Sequence, residues 1–367
     1  MERTNMTENW NILGHEWAVE MLMQHIAHDS VRHAYLFTGP PGVGRRTLAL
    51  RFTQALTCPQ PSAPGDPCGK CVTCQQIERM QYADLSVIQS EKEGGILKVE
   101  QVRAVRHSLV LKPYQGRYRV VLFLRFQEAH PHASNALLKM LEEAPAHAIL
   151  MLTANTAEQV FPTISSRCEI MRLRPLRVEQ VEAFLDRQEL PEIPKPEKID
   201  SSSTSITGTP AHLLAHLSGG RPGYALRLMQ DEKALAFRVQ RLDEIQTQLR
   251  CSRQERFAYA EKLAARKRGG EGNETNLRET FLLWLSFWRD VMLRKSGSAK
   301  PAKRPEVAAA LTNVDYAAAI DSLAAGLSLA RAHKLVSDTQ TAIDRLDHNI
   351  NARLLAEVLL LDWPRHT

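Results

Sequence analysis

No stretch of this chain is long and apolar enough to suggest a membrane span, and its first thirty residues hold no uninterrupted apolar run of the kind a secretory signal requires. Runs such as Val120 to Leu124 and Ile149 to Leu152 suit buried strands instead. The expectation is a soluble, cytoplasmic protein with no membrane partner. Charge is not strongly one-sided: the net value is +6 over 367 residues. The pI near 9.0 suits contact with nucleic acid and equally suits a mildly basic surface with no such role. Cysteine is scarce. Six of them in a reducing compartment argue for metal ligation or free thiols and against a disulfide framework. No internal repeat is evident. What remains is an ordinary globular composition, 44% apolar and 24% charged, with length for two or three domains.

The first part of the chain alternates short apolar runs with helical patterns, the sequence form of an α/β domain around a parallel sheet. Strands are expected at Ala34–Thr38, Leu85–Ile88, Arg119–Leu124, Ala148–Thr153 and Glu169–Leu173. Helices are expected at Arg46–Leu56, Val99–Leu111 and Ala133–Glu143. The last has Ala136, Leu137, Met140 and Leu141 on one face and Lys139, Glu142 and Glu143 mostly away from it. After Arg174-Pro175 the strands stop. A helix from Val178 to Gln188 leads into the Pro/Ser-rich stretch 191–210, including the polar run Ser201 to Ser205, which reads as a surface loop. Helical pattern resumes over Ala211–Gln230. Breaks are expected at Arg268–Glu274 and Lys295–Pro305, with an amphipathic helix over Val314–Arg331 and another helical segment over Ala342–Leu361.

The first strand runs into Gly39-Pro40-Pro41-Gly42-Val43-Gly44-Arg45-Arg46-Thr47 and then an apolar helix, the strand–turn–helix context of a phosphate loop. Glycines in such a turn let backbone N–H groups converge on phosphate at the positive end of a helix. Arg45 and Arg46 fill the slots where the pattern has Lys followed by Ser or Thr. A guanidinium is no substitute for a compact ammonium at the β/γ-phosphates, and Arg46 cannot coordinate Mg²⁺ as a hydroxyl does. Thr47 is one residue late, turned about 100° around the helix. An active enzyme of this type also ends a core strand with a metal-binding carboxylate. Here Arg119–Leu124 runs into Leu124-Arg125-Phe126-Gln127, and the first carboxylate is Glu128. The pattern is a degenerate nucleotide loop at Gly39, Gly42, Gly44, Arg45, Arg46 and Thr47, without hydrolysis and with little prospect of binding ATP.

Cys58, Cys68, Cys71 and Cys74 follow the spacing C-x9-C-x2-C-x2-C inside a Pro- and Gly-rich stretch. Thiolates at such turns can converge on one tetrahedral Zn²⁺ in a closed structural site. An iron–sulfur cluster competes less well, since the ferredoxin run places a fourth cysteine soon after the third. Free thiols are the other alternative. Cys168 and Cys251 stand apart, and Cys251 reads as a buried structural residue.

Three further segments together resemble the clamp-loader branch of the AAA+ family, which serves bacterial DNA polymerase III. They are Asn135-Ala136-Leu137-Leu138-Lys139-Met140-Leu141-Glu142-Glu143-Ala144-Pro145, then Thr163-Ile164-Ser165-Ser166-Arg167-Cys168, and Arg32-His33-Ala34-Tyr35-Leu36-Phe37 ahead of the phosphate loop. The motifs cover about the first 175 residues, and the remainder resembles the family in architecture only. The resemblance implies an α/β AAA+ P-loop core with a parallel sheet at 1–174, with an embedded zinc module at 58–74. A small helical lid would follow at 175–240, and an all-α collar domain for oligomerisation at 250–367. It also agrees with zinc at the four cysteines.

Within that family some subunits, the gamma/tau class, hydrolyse ATP, while a stator subunit carries degenerate motifs. Arg45, Arg46, Leu124 and Arg125 place this chain on the stator side. Gly220-Arg221-Pro222-Gly223-Tyr224-Ala225-Leu226 does the same, resembling the second sensor with Gly223 in its arginine slot. The resemblance implies that Arg167 acts as an arginine finger in trans, on ATP held by a neighbour. It implies gamma/tau and delta partners in a hetero-pentamer that reaches the sliding clamp and primer-template DNA through the complex. The chain would be a subunit of the polymerase holoenzyme with no ATPase or polymerase activity of its own. An active ATPase of the gamma/tau class, or an independent zinc-containing nucleic-acid-binding module, are the competing readings.

Overall fold

The computed structural model describes residues 10–92, 94–188, 209–264, 272–297, 311–346 and 351–365. They fall into two compact units, Met1–Arg177 with Arg221–Tyr224, and Val178–Gly220 with Ala225–Thr367. The stretches read from sequence as lid (175–240) and collar (250–367) lie largely in the second unit, to which the chain returns after giving residues 221–224 to the first. The Pro/Ser-rich stretch lies outside the described residues apart from its last two positions, as do most of the two expected breaks; Gly272–Glu274 begin a helix instead.

The first unit contains α1 (Glu16–Ala27), β1 (Ala34–Thr38), α2 (Arg45–Thr57), α3 (Val72–Glu78), β2 (Leu85–Ile88), α4 (Val99–Val110), β3 (Arg119–Phe123), α5 (Pro131–Glu142), β4 (Ala148–Ala154), α6 (Pro162–Ser165) and β5 (Glu169–Arg172). The five strands form one sheet in the order β2-β3-β4-β1-β5. Every pairing is parallel. Alternate side chains leave opposite faces of a strand, so this sheet feeds two cores. Tyr35, Phe37, Val120, Leu122, Ile149 and Met151 pack toward α1 and α2. Ala34, Leu36, Val121, Phe123, Leu150 and Leu152 pack toward α4 and α5. Burial on both faces is what made each strand a near-continuous apolar run rather than an alternating one. The α/β core with a parallel sheet is therefore the architecture present.

The second unit is helical: α7 (Val178–Leu185), α8 (Pro210–Ser218), α9 (Pro222–Gln230, whose first three residues belong to the first unit), α10 (Glu232–Arg250), α11 (Arg253–Ala264), α12 (Gly272–Ser296), α13 (Ala317–Gly326), α14 (Leu329–Leu346) and α15 (Ala352–Asp362). Its core is built around Phe281, Trp284, Phe287, Trp288 and Trp363, all buried. Two arginines are buried with them. Arg238 donates to both carboxylate oxygens of Asp315 at 2.7 Å and to Asn313 Oδ1 at 2.8 Å. Arg256 has carbonyl partners, donating to Gln248 O, Leu360 O, Trp363 O and Pro364 O at 2.8–2.9 Å. Its charge thus faces the negative ends of α10 and α15.

Three sequence expectations are corrected in this unit. The helix read over Ala211–Gln230 is two, because Gly219 and Gly220 take left-handed φ of 57° and 77° and Pro222 restarts the helix. The helix read over Val314–Arg331 is interrupted: α13 stops at Gly326, and Ser328 Oγ accepts the Arg331 N–H to start α14. Cys251 is half-buried at the carboxyl end of α10 rather than in the core.

Candidate functional site

β1 delivers the chain to Gly39 and α2 begins at Arg45, so the glycine turn joins the carboxyl end of a strand to the amino end of a helix. Gly39, Gly42 and Gly44 have φ of 146°, 83° and 110°, which L side chains avoid. Two of them are also fixed by space. A Cβ at Gly39 would lie 2.4 Å from Leu173 O, and one at Gly42 would lie 2.7 Å from the backbone N of Tyr224.

The turn is held by donors and acceptors from three other segments. Gly39 N–H donates to Asn155 O at 3.0 Å. Gly42 O accepts the Gly223 N–H at 2.9 Å. Val43 O lies 3.1 Å from His15 Nε2, which must be the donor because a carbonyl can only accept. Burial pushes the His15 pKa below its ordinary value, consistent with a neutral ring.

Arg45, in the lysine slot, is buried and donates through Nη1 to Asn155 Oδ1 at 3.1 Å. Asn155 directly follows β4, the strand beside β1. Arg46 and Thr47 are exposed on the first turn of α2. Leu124 is buried in the core. Arg125 has a left-handed φ of 52°, a strained conformation for a long side chain that costs about 1–2 kcal/mol. It is held there by its N–H on Thr153 Oγ1 at 2.9 Å and by its guanidinium on Glu128 at 3.0 Å and Ser90 Oγ at 3.1 Å. Glu128 also accepts from Ser90 Oγ and the Gly94 N–H. The first carboxylate beyond β3 is thus already committed to side-chain and backbone donors. A Cβ at Gly223 would lie 3.0 Å from Gly42 O, so a side chain there would require the turn to give by a few tenths of an ångström. What the arrangement can offer an anion is backbone N–H groups, the amino end of α2 and the exposed Arg46. Arg45 and Arg46 stand where the phosphate-loop pattern has an ammonium and a metal-binding hydroxyl.

Arg167 lies between α6 and β5, its side chain 41% exposed. Its Nη1 donates to Thr163 O and its Nη2 to Glu142 Oε1, both at 2.9 Å. Neighbouring Cys168 is half-buried, and burial pushes its thiol up to about 12.

The four remaining cysteines come together where α2 ends and α3 starts. Their sulfurs all lie within 4.8 Å of one another. Cys58 Sγ is 3.6 Å from Cys68 Sγ and 4.0 Å from Cys71 Sγ. Four sulfurs at about 2.3 Å from one tetrahedral ion would be about 3.8 Å apart, and the two distances from Cys58 bracket that value. Backbone N–H groups already point at three of the sulfurs, from Cys68 to Cys58, from Cys71 to Cys68 and from Cys74 to Cys71. Backbone N–H donors from Lys70 and Cys71 pull the Cys68 thiol down to about 6, while burial raises those of Cys58 and Cys74. A bound cation would displace the protons that burial keeps on the latter two. The loop is fastened to the core by Trp10 Nε1 donating to Gly65 O at 3.1 Å and by Gln54 Nε2 donating to Cys74 O at 2.7 Å.

Sequence reading did not single out Asn155, His15 or Glu142. Asn155 and His15 stand 110 and 28 residues from their partners and carry no motif, so only the fold brings them in. Glu142 was visible as a polar position on α5, and its exposed place there gave no sign of a partner.

Comparison with known families matches residues 14–177 to the model described as DNA polymerase III, delta subunit, and residues 273–365 to the model of the C-terminal part of that subunit. Over 136 residues the chain is 37% identical to the DNA polymerase III delta-prime subunit of Pseudomonas aeruginosa, covering 37% of this chain and 41% of that protein. It is 33% identical over 176 residues to the tau subunit of Salmonella typhimurium, covering 48% of this chain and 27% of the relative. The matched stretch is thus less than half of either relative. A solved gamma-subunit-related protein from Thermotoga maritima aligns at 16% identity and a TM-score of 0.43, covering 95% and 99% of the two chains.

Proposed function

The chain belongs to the DNA polymerase III clamp-loader family, and on that basis we propose that it is the delta-prime-type stator, a subunit that does not hydrolyse ATP. Its partners are gamma/tau and delta subunits in a hetero-pentamer, and it meets the sliding clamp and primer-template DNA through that complex. The carrying observation is Arg45: the residue in the lysine slot is turned onto Asn155 rather than presented to a phosphate. The Arg125–Glu128 pair supports the same reading, since no carboxylate is left at the end of β3 for Mg²⁺. Zinc held by Cys58, Cys68, Cys71 and Cys74 would close the 58–74 loop and stabilise the first unit, with no open position for catalysis. Arg167 serves as an arginine finger for ATP on an adjacent subunit, where a guanidinium stabilises charge on the transferring phosphoryl group.

The likeness to tau and gamma subunits favours one other reading, an active ATPase, and the same experiment separates the two. The purified chain, alone and with Arg45→Lys/Arg46→Thr, should show no Mg²⁺-dependent ATP turnover above background. Turnover on the order of 1 s⁻¹ by the wild-type chain alone would overturn the stator role.

A further inference from the structure

The Arg167 guanidinium is fixed at two points before any phosphate approaches. Nη1 is held by the carbonyl of Thr163, one turn back in the chain, and Nη2 by Glu142 at the last position of α5, each at 2.9 Å. Both side chains of the ion pair are substantially exposed, 41% for Arg167 and 53% for Glu142. An exposed pair of this kind adds little to folding stability. Its effect on the arginine is larger. A free arginine side chain gives up much of its rotamer freedom when it docks on a phosphate, and one already anchored through its planar fork has less to lose. The two anchors use one N–H on each terminal nitrogen and leave the other N–H groups of the fork for an incoming anion. α5 and α6 pack against each other, so Glu142 reaches Arg167 from an element whose buried face (Ala133, Leu137, Met140, Leu141) locks it into the core.

We propose that Glu142 is a positioning residue for Arg167, tethering the guanidinium in the orientation in which it meets the phosphoryl group of an adjacent subunit. This rests on the finger reading given above, and the test separates the two. The opposite role for the same contact is a mask, in which the carboxylate neutralises Arg167 and must be displaced. Charge distinguishes them. Gln at this position keeps an acceptor oxygen and loses the negative charge, and Ala loses both.

The experiment is ATP turnover and clamp loading by the complete reconstituted complex carrying Arg167→Ala, Glu142→Ala or Glu142→Gln, with melting temperature and metal content of each variant chain as controls. Under the tether, Glu142→Ala lowers kcat roughly three- to tenfold, the scale of rotamer freedom restored to one long side chain, with KM for ATP unchanged. Glu142→Gln recovers most of that loss. Adding Glu142→Ala to Arg167→Ala produces no further fall, because the tether acts only through the arginine. If Arg167→Ala lowers turnover while Glu142→Ala does not, the finger stands and the tether is wrong. Increased turnover in both Glu142 variants would establish a mask and also overturn the tether. Wild-type turnover with Arg167→Ala would remove the finger and this inference with it.

Discussion

A buried imidazole, His15, and a half-buried one, His216, each have a carbonyl as partner, and each makes the fold sensitive to mild acid. His15 donates to Val43 O and His216, through Nδ1, to Leu311 O. Burial lowers both pKa values from 6.5, outweighing the carbonyl partner in each case. The unfolded chain therefore takes up protons at a pH where the folded chain does not. Stability is complete above about pH 6.5 and is lost as pH falls through the lowered folded values. Asp84 and Asp362 are held below 3.8 and do not titrate in this window. Melting temperature should fall between pH 7 and pH 5, and His15→Gln, whose amide can still donate to Val43 O, should melt with a shallower slope at equal metal loading. An identical slope in the two proteins would show that His15 does not contribute. At this scale the sequence revealed what was missing, Lys and Ser/Thr at Arg45 and Arg46, because a motif is a local pattern. It did not reveal what Arg45 does instead, because Asn155 meets it only once β1 and β4 are paired.

Among the elements, the cysteine module is a loop of little regular structure, with Trp10 and Gln54 among its anchors to the core. Metal binding would supply the remaining constraint, so its loss should be a folding event rather than a local one. Cys71→Ser should reduce bound zinc from about one equivalent to well below it and lower the melting temperature, since Cys71 is both a ligand candidate and the residue capping α3. Cys168→Ser, which lies outside the cluster, should keep its zinc. Full zinc and unchanged melting in Cys71→Ser would remove the cysteines from any structural role. The strands were legible to within a residue at each end because burial on both faces writes them as uniform apolar runs. The helix breaks were not. Gly219-Gly220 and Gly326 interrupt helical periodicity so briefly that an amphipathic pattern reads through them, and only the left-handed backbone at Gly219 and Gly220 and the cap at Ser328 show the stop.

For the whole molecule, the two units have separate cores, one on each face of the sheet in the first and one around Trp284, Trp288 and Trp363 in the second. A chain with separate cores need not unfold in one step. Chelating a metal held by the four cysteines should speed hydrogen exchange in β1, β4 and α2 while leaving α12 and α14 protected. Equal acceleration in both sets would mean that the chain unfolds as a single cooperative body. The phosphate loop, finally, can be considered as a carrier of information. A switching loop reports the presence of nucleotide because it has two arrangements whose balance a ligand tips. This loop is fastened at Gly39, Gly42 and Val43 by Asn155, Gly223 and His15, and Arg45 is bonded to Asn155. Any second arrangement would have to break those contacts first, so the same bonds that shape the loop also set how readily it could act as a switch.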